Sequence, residues 1–193
     1  MRRDDCDRIR IAVYCASSPG SSPVYAAAAR RMGQSLARRG WDLVYGGGRA
    51  GLMGELADAV LEAGGEAIGV MPTHLVEREI AHEGLTELHD VPGIHERKAL
   101  MIDLSHGYIA LPGGVGTLEE LSEVLSWARM GLHARPVGVL DTNGFYGPLE
   151  QLLEGMVAAG FLSPADRALL RRAAEPEDLL EAMRNDLPQI GGR

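Results

Sequence analysis

Short apolar segments alternate with helical segments along most of the chain, and this pattern limits the possible folds more than any other feature. The apolar segments are continuous rather than alternating with polar residues, which is typical of strands buried on both faces. Glycine and proline mark many of the boundaries. We predict strands at residues 9–15, 41–45, 66–71, 85–91, 108–111 and 136–140, and helices at 24–39, 52–63, 94–105, 118–130, 147–159, 163–173 and 175–185.

Strand–helix alternation of this kind predicts a parallel sheet with helices on both faces. The fold class is therefore α/β: a doubly wound, Rossmann-like parallel sheet. With 193 residues the chain is long enough for one good core but short for two. We expect a single domain over residues 1–193, with loose tails at 1–8 and 187–193.

Charge and composition exclude several classes of partner. The net charge is −8, which argues against a nucleic-acid polymer, because phosphate backbones need a clustered basic surface. No apolar segment approaches the roughly 18 residues that a membrane span needs. The two cysteines, Cys6 and Cys15, suggest no disulfide framework, so we expect a cytoplasmic protein with no membrane partner.

Two loops of unusual composition follow predicted strands, and both should lie at the carboxyl edge of the sheet. The first is ASSPGSSP at 16–23, which carries Ser18. The second is GGGRAGLMG at 46–54, in which Gly46, Gly48 and Gly51 match G-x-G-x-x-G. No acidic residue ends the next strand, so a dinucleotide site is disfavoured. The loop is either a tight packing turn or the approach of a mononucleotide, and Gly46, Gly48 and Ser18 are candidate substrate contacts.

A third loop, PGGVGT at 112–117, predicts a phosphate site. Gly113, Gly114 and Gly116 let backbone N–H groups converge at a helix N-terminus, where the helix dipole favours an anion. No Gly-Lys-Ser/Thr follows, so this is not a Walker P-loop. Thr117 and Glu120 also form a T-x-x-E capping box. Glu120 is therefore either a helix cap or a catalytic carboxylate beside the phosphate loop.

A basic pair, Arg97-Lys98, is the candidate cationic partner for such an anion. The alternative is a solvated helix end, whereas the functional interpretation places the guanidinium over a phosphate, which its planar geometry suits. The six histidines show no H-x-H or H-x-x-x-H spacing, so we expect no metal site. Neither Ser17 nor Ser18 has a G-x-S-x-G context, which disfavours a serine hydrolase.

The segments PGGVGTLEE and HERKALM fit the PGGxGTxxE and Arg-Lys-x-x-Met motifs, so the chain resembles the LOG ("Lonely Guy") family of cytokinin-activating phosphoribohydrolases over nearly its whole length. The resemblance implies hydrolysis of the N-glycosidic bond of a cytokinin riboside 5′-monophosphate, with no metal and no bound cofactor, in a homodimer or hexamer. It further implies catalytic roles for Arg97 and Glu120, and substrate contacts at Glu79, Lys98, Gly113, Gly114, Gly116 and Thr117.

Two alternative functions remain open. One is an AMP nucleosidase of broad specificity. The other is a non-catalytic nucleotide or molybdenum-cofactor carrier, because such carriers resemble this fold and use a similar glycine loop. Small departures from the family, such as Phe145-Tyr146 in place of a common Tyr-Tyr pair, bear on substrate preference rather than on the catalytic motif.

Overall fold

All seven strands of the sheet run parallel. The computed structural model describes residues 8–75 and 81–189. The six predicted strands are confirmed, and a seventh joins them at the edge. The strands are β1 (Arg10–Tyr14), β2 (Asp42–Tyr45), β3 (Ala67–Pro72), β4 (Glu87–Val91), β5 (Gly107–Ala110), β6 (Val137–Leu140) and β7 (Leu170–Ala173).

Helices connect these strands and cover the sheet on both faces. Ser22 caps the first of them, accepting a hydrogen bond from the backbone N–H of Val24, with Pro23 at the first helical position. The helices are α1 (Pro23–Arg38), α2 (Gly51–Glu62), the single turn α3 (Thr73–Leu75), α4 (Ile94–Leu104), α5 (Val115–Arg129), α6 (Gly147–Ala158), the short α7 (Pro164–Arg167) and α8 (Pro176–Arg184).

Two hydrophobic clusters, one on each face, form the core. Strand β1 shows why its sequence is continuously apolar: Ile11 and Val13 enter the cluster under α1, α2 and α8, whereas Ala12 and Tyr14 enter the one under α4, α5 and α6. Successive side chains of a strand point to opposite faces, and here both faces are buried. The doubly wound architecture is therefore confirmed.

The strand order is β4-β3-β2-β1-β5-β6-β7, so the direction of winding reverses between β1 and β5. Connections from β1 through β4 build the sheet to one side, and α4 then returns the chain to the other side of β1. In open α/β sheets the crevice outside the carboxyl ends of strands at such a reversal is where ligands bind. The loops after β1 and β5 flank this crevice.

The seventh strand corrects the prediction of a helix at 163–173. Only Pro164–Arg167 is helical, and β7 pairs with β6 from Leu170 to Ala173. The segment is rich in Leu, Arg and Ala, which are good helix formers. As an edge strand it buries few of its side chains, so it lacks the apolar signature of the central strands.

The predicted loose tails are wrong at their inner ends. Arg8 places Nη2 2.9 Å from Asp42 Oδ1 and Nη1 2.7 Å from Glu66 Oε1, and Leu187 is buried in the core cluster next to α8. Residues 1–7 and 190–193 lie outside the described part of the chain. Within that part, no helix has the length and apolar character needed to cross a membrane.

Candidate active site

The two predicted catalytic residues, Arg97 and Glu120, lie at the crevice where the winding reverses. Arg97 comes from α4, which returns the chain to the reversal, and Glu120 comes from α5, directly after the third glycine loop. Both charges influence the ionisation of Cys15, at the end of β1. The guanidinium, the carboxylate and the end of β1 therefore lie within electrostatic reach of one another, although they are distant in sequence.

Arg97 is a buried cation without a counter-ion in the described structure. Only 8% of the residue is exposed. It forms no ion pair with residues 8–75 or 81–189, and its Nε atom has no hydrogen-bond partner there. Removing a charge from water without pairing it is costly. An anionic ligand would supply the missing partner, so the interpretation of Arg97 as a solvated helix end is wrong.

Gly46 provides the space for this guanidinium. A Cβ atom on Gly46 would lie 1.9 Å from Arg97 Nη2 and 3.1 Å from Met53 Sδ. Any side chain at this position would therefore displace the arginine. The substrate contact predicted for Gly46 stays a prediction; what the structure shows is that this glycine leaves room for the Arg97 guanidinium.

Glu120 is half-buried in the first part of α5, close to Arg97 but not ion-paired with it. Burial raises the pKa of its carboxyl to about 7, against the opposing influence of Arg97. A carboxyl that titrates near neutrality in a crevice is a candidate general base. Its neighbour Cys15 has its thiol pKa raised by burial and therefore stays protonated.

The capping-box interpretation of Glu120 is wrong. The helix begins at Val115, two residues earlier than Thr117, and its N-cap is Gly114, which has no side chain to accept a hydrogen bond. Thr117 is thus the third helical residue and Glu120 the sixth. A capping box requires the threonine at the N-cap itself, so helix capping does not account for Glu120.

The PGGVG loop leaves this helix N-terminus open. Added Cβ atoms on Gly114 or Gly116 would meet nothing within 4 Å, and both glycines are exposed. Gly113 is different: its Cβ would lie 2.2 Å from Thr117 Oγ1, so its lack of a side chain makes room for the buried threonine. An uncapped helix N-terminus with bare glycines can receive a phosphate group.

The GGGRAG loop, by contrast, is occupied by its own chain. The Ala16 carbonyl accepts hydrogen bonds from Leu52 N at 3.1 Å and Met53 N at 3.3 Å, at the N-terminus of α2. A Cβ on Gly51, which has φ of +60°, would lie 2.4 Å from the Ser17 carbonyl oxygen. The sequence left two interpretations of this loop open, a packing turn and a mononucleotide contact. At the N-terminus of α2 the loop is a packing turn.

The other predicted contacts lie in different environments. Ser18 is exposed beside the crevice. Gly48 is buried and forms an isolated antiparallel bridge with Ala81. Lys98 Nζ donates to Glu119 Oε1 at 2.8 Å and lies 3.3 Å from Glu123 Oε1. Glu79 falls in residues 76–80, outside the described residues.

Tyr146, which the sequence linked only to substrate preference, supports the site through hydrogen bonds that the sequence did not predict. Its hydroxyl donates to the Leu111 carbonyl at 2.7 Å, immediately before the PGGVG loop, and its backbone N–H donates to Asp141 Oδ1 at 2.6 Å. Arg172 on β7 in turn donates from Nε to Asp141 Oδ2 at 2.8 Å. The position of Tyr146, just past the carboxyl end of β6, was the available signal.

An apolar pocket of about 450 Å³ adjoins the PGGVG loop. Its size falls in the range usual for small-molecule sites. The pocket is lined by Gly113, Gly114, Val115, Thr117, Leu118, Phe145, Tyr146, Pro148, Leu149 and Leu152.

Among the described residues, no group of three or more His, Cys, Asp or Glu side chains is arranged to hold a metal ion.

Replacing Gly46 with alanine should displace Arg97 and weaken anion binding. We expect Gly46→Ala to lower the affinity for AMP about 10- to 100-fold, the loss of one charge-assisted hydrogen bond, with little change in stability because the displaced group is the end of a flexible side chain. Isothermal titration calorimetry measures the affinity.

The control is Gly155→Ala on α6, where a Cβ meets nothing within 4 Å, and its AMP affinity should be unchanged. Arg97→Met should weaken AMP binding at least as much, and Gly46→Ala should add little to it, because residues acting through one contact are not additive. Additive losses would show that Gly46 does not act through Arg97.

Comparison with known proteins identifies the family of this chain. The family model described as "Possible lysine decarboxylase" matches residues 53–183. The cytokinin riboside 5′-monophosphate phosphoribohydrolase of Rhodococcoides fascians is 45% identical over 176 residues, covering 91% of this chain and 89% of its own. The enzyme of the same name, LOG1, from Arabidopsis thaliana is 43% identical, covering 93% and 84%.

Solved structures show the same fold at lower sequence identity. The molybdenum cofactor carrier protein of Chlamydomonas reinhardtii superposes with a TM-score of 0.71 at 22% identity, over 93% of this chain and 97% of its own. The molybdenum cofactor binding protein of Rippkaea orientalis gives 0.69 at 22% identity, over 92% and 96%. These likenesses establish the fold alone, whereas the sequence matches over nine-tenths of the chain establish the kinship: the chain belongs to the LOG family.

Proposed function

We propose that this protein hydrolyses the N-glycosidic bond of cytokinin riboside 5′-monophosphates, releasing the N6-substituted adenine and ribose 5-phosphate. The relatives that carry this activity in their names are 43–45% identical over more than nine-tenths of the chain. The observation that carries the proposal is the proximity of a half-buried Glu120 and a buried Arg97, which has no counter-ion among the described residues, beside an open glycine loop.

The 5′-phosphate is the anion that the crevice accommodates. The uncapped N-terminus of α5 and the bare backbone of Gly114 and Gly116 offer N–H groups to its oxygens. Arg97 supplies the positive charge on the phosphate or ribose side and holds the sugar in position. A nucleoside without the phosphate loses this remote binding energy and should react poorly.

Glu120 acts at the reacting carbon. As the C1′–N9 bond breaks, its electron pair leaves with the adenine and positive charge develops on the ribose ring. A carboxylate beside that ring stabilises the charge, and it can also orient or deprotonate the water that attacks C1′. The reaction consumes only water.

The apolar pocket beside the loop favours an N6-substituted adenine over adenine itself. Val115, Leu118 and Leu152 are exposed apolar side chains that line it. Burial of each methylene of an N6 side chain contributes roughly 0.8 kcal/mol. The alternative of a broad AMP nucleosidase leaves this surface without a role.

A substrate panel tests the function and separates its alternatives. We expect release of free base from N6-isopentenyladenosine monophosphate, with kcat/KM about 10- to 100-fold above that for AMP and little turnover of the unphosphorylated nucleoside. Equal rates with AMP would indicate the broad nucleosidase. Binding without release of base from any nucleotide would indicate a carrier, as in the structural neighbours' names.

Replacing Glu120 with glutamine should lower activity and raise stability. We expect kcat to fall about 10²- to 10⁴-fold. The pKa of Glu120 is higher in the folded protein than its ordinary value of 4.5, so its ionisation opposes folding increasingly as the pH rises from 4.5 through 7. At pH 8, Glu120→Gln should therefore raise the free energy of unfolding by about 1–3 kcal/mol, and by less at pH 5.

Steady-state kinetics and urea denaturation at the two pH values measure both effects. Glu62→Gln, an exposed carboxylate paired with Arg30 on the opposite face, is the control and should change neither quantity appreciably. A glutamine variant with wild-type kcat would remove Glu120 from the reaction. A variant less stable than wild type at pH 8 would contradict the electrostatic argument.

We also propose a cytoplasmic homodimer, formed through the apolar groove between α5 and α6. This groove continues from the pocket beside the loop and is lined by Leu125, Leu149, Leu152, Met156 and Phe161. An exposed apolar surface of this extent is more typical of an interface than of a free surface. Its position next to the glycine loop would place the partner close to the crevice.

Substitution of Phe161, which is 81% exposed, should dissociate this dimer. We expect Phe161→Glu to sediment as a monomer in analytical ultracentrifugation, because the introduced charge would be buried without a partner. Leu132→Glu is the matched control: Leu132 is 65% exposed but lies outside the groove. If both variants remain dimeric, the interface lies elsewhere on the surface.

A further inference from the structure

Two adjacent cations on α4 have opposite environments. Arg97 has no ion pair in the described structure, whereas Lys98 is clamped between two carboxylates of α5: its Nζ lies 2.8 Å from Glu119 Oε1 and 3.3 Å from Glu123 Oε1. The lysine side chain is 8% exposed, against 58% for Glu119 and 26% for Glu123. These carboxylates, one helical turn apart, lie on either side of Glu120 in the sequence.

We propose that Lys98 is a positioning residue that acts on Glu120 only through the carboxylates of Glu119 and Glu123, whose negative charge its ammonium offsets, and that it does not contact the substrate. The inference rests on the proposed function only in naming Glu120 as the reacting carboxylate. It replaces the direct substrate contact that the family resemblance implied for Lys98.

The hydrogen bonds of Lys98 argue against a direct phosphate contact. A lysine ammonium has three donors, and two of them face Glu119 and Glu123. A phosphate reaching Lys98 would have to approach two carboxylates and break an existing ion pair. The neighbouring Arg97 has no ion pair with residues 8–75 or 81–189, so it is the better partner for an incoming anion.

Glu123 shows that the clamp depends on Lys98. One carboxylate oxygen of Glu123 faces the ammonium, and the other, Oε2, is buried with no hydrogen-bond partner among the described residues. A half-buried carboxylate in this situation relies on its one cation. Without Lys98, the negative charges of Glu119 and Glu123 would act on Glu120 with Arg97 as the one opposing charge in the described part of the chain.

The groups that face Glu120 come from three elements. From α4, Arg97 and Lys98 lower the pKa of Glu120, and on α5 itself Glu119 and Glu123 raise it, while burial is the largest influence and also raises it. From β1, Tyr14 and Cys15 lie within electrostatic reach, and burial raises the pKa of both groups, so they remain neutral. Among the described residues, Lys98 is therefore one of two charges that favour the ionised form of Glu120.

Direct titration of Glu120 tests the inference without requiring turnover. Protein labelled with [5-¹³C]glutamate is titrated by NMR, and the Glu120 carboxyl signal is the one missing from Glu120→Gln. We expect Lys98→Met to raise the titration midpoint by about one pH unit and Glu123→Gln to lower it by about half a unit, while the double variant lies near wild type. Arg30→Met, which removes a remote surface cation, is the control and should leave the midpoint unchanged.

Kinetics distinguish positioning from substrate contact. At pH 9, where Glu120 is ionised in every variant, Lys98→Met should have the wild-type KM for AMP and a kcat within about threefold of wild type. A raised KM at pH 9 with an unmoved Glu120 midpoint would overturn the proposal in favour of a direct contact. Single-variant shifts in the same direction would overturn it as well.

The test does not depend on the folding of Lys98→Met or on turnover. If Lys98→Met does not fold, Glu123→Gln alone still carries the test, and a midpoint that does not fall refutes the clamp. Because the NMR titration is read on the free protein, opposite shifts in a protein that releases no base would support the clamp while rejecting the proposed hydrolysis. Hydrolysis by a protein whose Glu120 midpoint does not move in the variants would support the proposed function and reject the clamp.

Discussion

A guanidinium and a carboxylate lie close together in the crevice between β1 and β5, and no ion pair joins them. Desolvation of both groups is unfavourable, and the fold maintains it with specific features: Gly46 leaves space for Arg97, and the first turns of α5 carry Glu120 into a half-buried position. The remaining charges of the crevice are arranged around this pair. Such an arrangement is poor for stability in the free protein and suited to a ligand that carries both a phosphate and a ring that becomes positively charged.

The two glycine loops have a similar composition but different roles: one packs against its own chain, and the other leaves a helix N-terminus open. The Ala16 carbonyl binds the N-terminus of α2, so the loop at 46–54 closes on its own chain. At the N-terminus of α5, Gly114 and Gly116 have no neighbouring atoms within 4 Å of an added Cβ. What separates the two is whether a neighbouring loop supplies a carbonyl oxygen, and that depends on the strand order rather than on the glycines.

Local sequence was sufficient for the central strands, the doubly wound class and the position of the loops after β1 and β2 at the carboxyl edge of the sheet. The reason is that buried parallel strands are continuously apolar and their connections are short. It was insufficient at β7, where an edge strand has the composition of a helix, and at Thr117, where T-x-x-E suggested a cap inside a helix that begins two residues earlier. The half-burial of Glu120 and the clamp on Lys98 depend on the packing of α4 against α5, which no local pattern encodes.

The hydrogen bond from the Tyr146 hydroxyl to the Leu111 carbonyl connects the last third of the chain to the site. Through Asp141 and Arg172 it links the outermost strand to the backbone that precedes the PGGVG loop. The side chains of Tyr146, Asp141 and Arg172 thus support the backbone that precedes the loop. Arg172 lies at the far edge of the sheet and does not line the crevice. Substitutions at Arg172 would nevertheless alter ligand recognition, because its hydrogen bonds reach the backbone before the PGGVG loop through Asp141 and Tyr146.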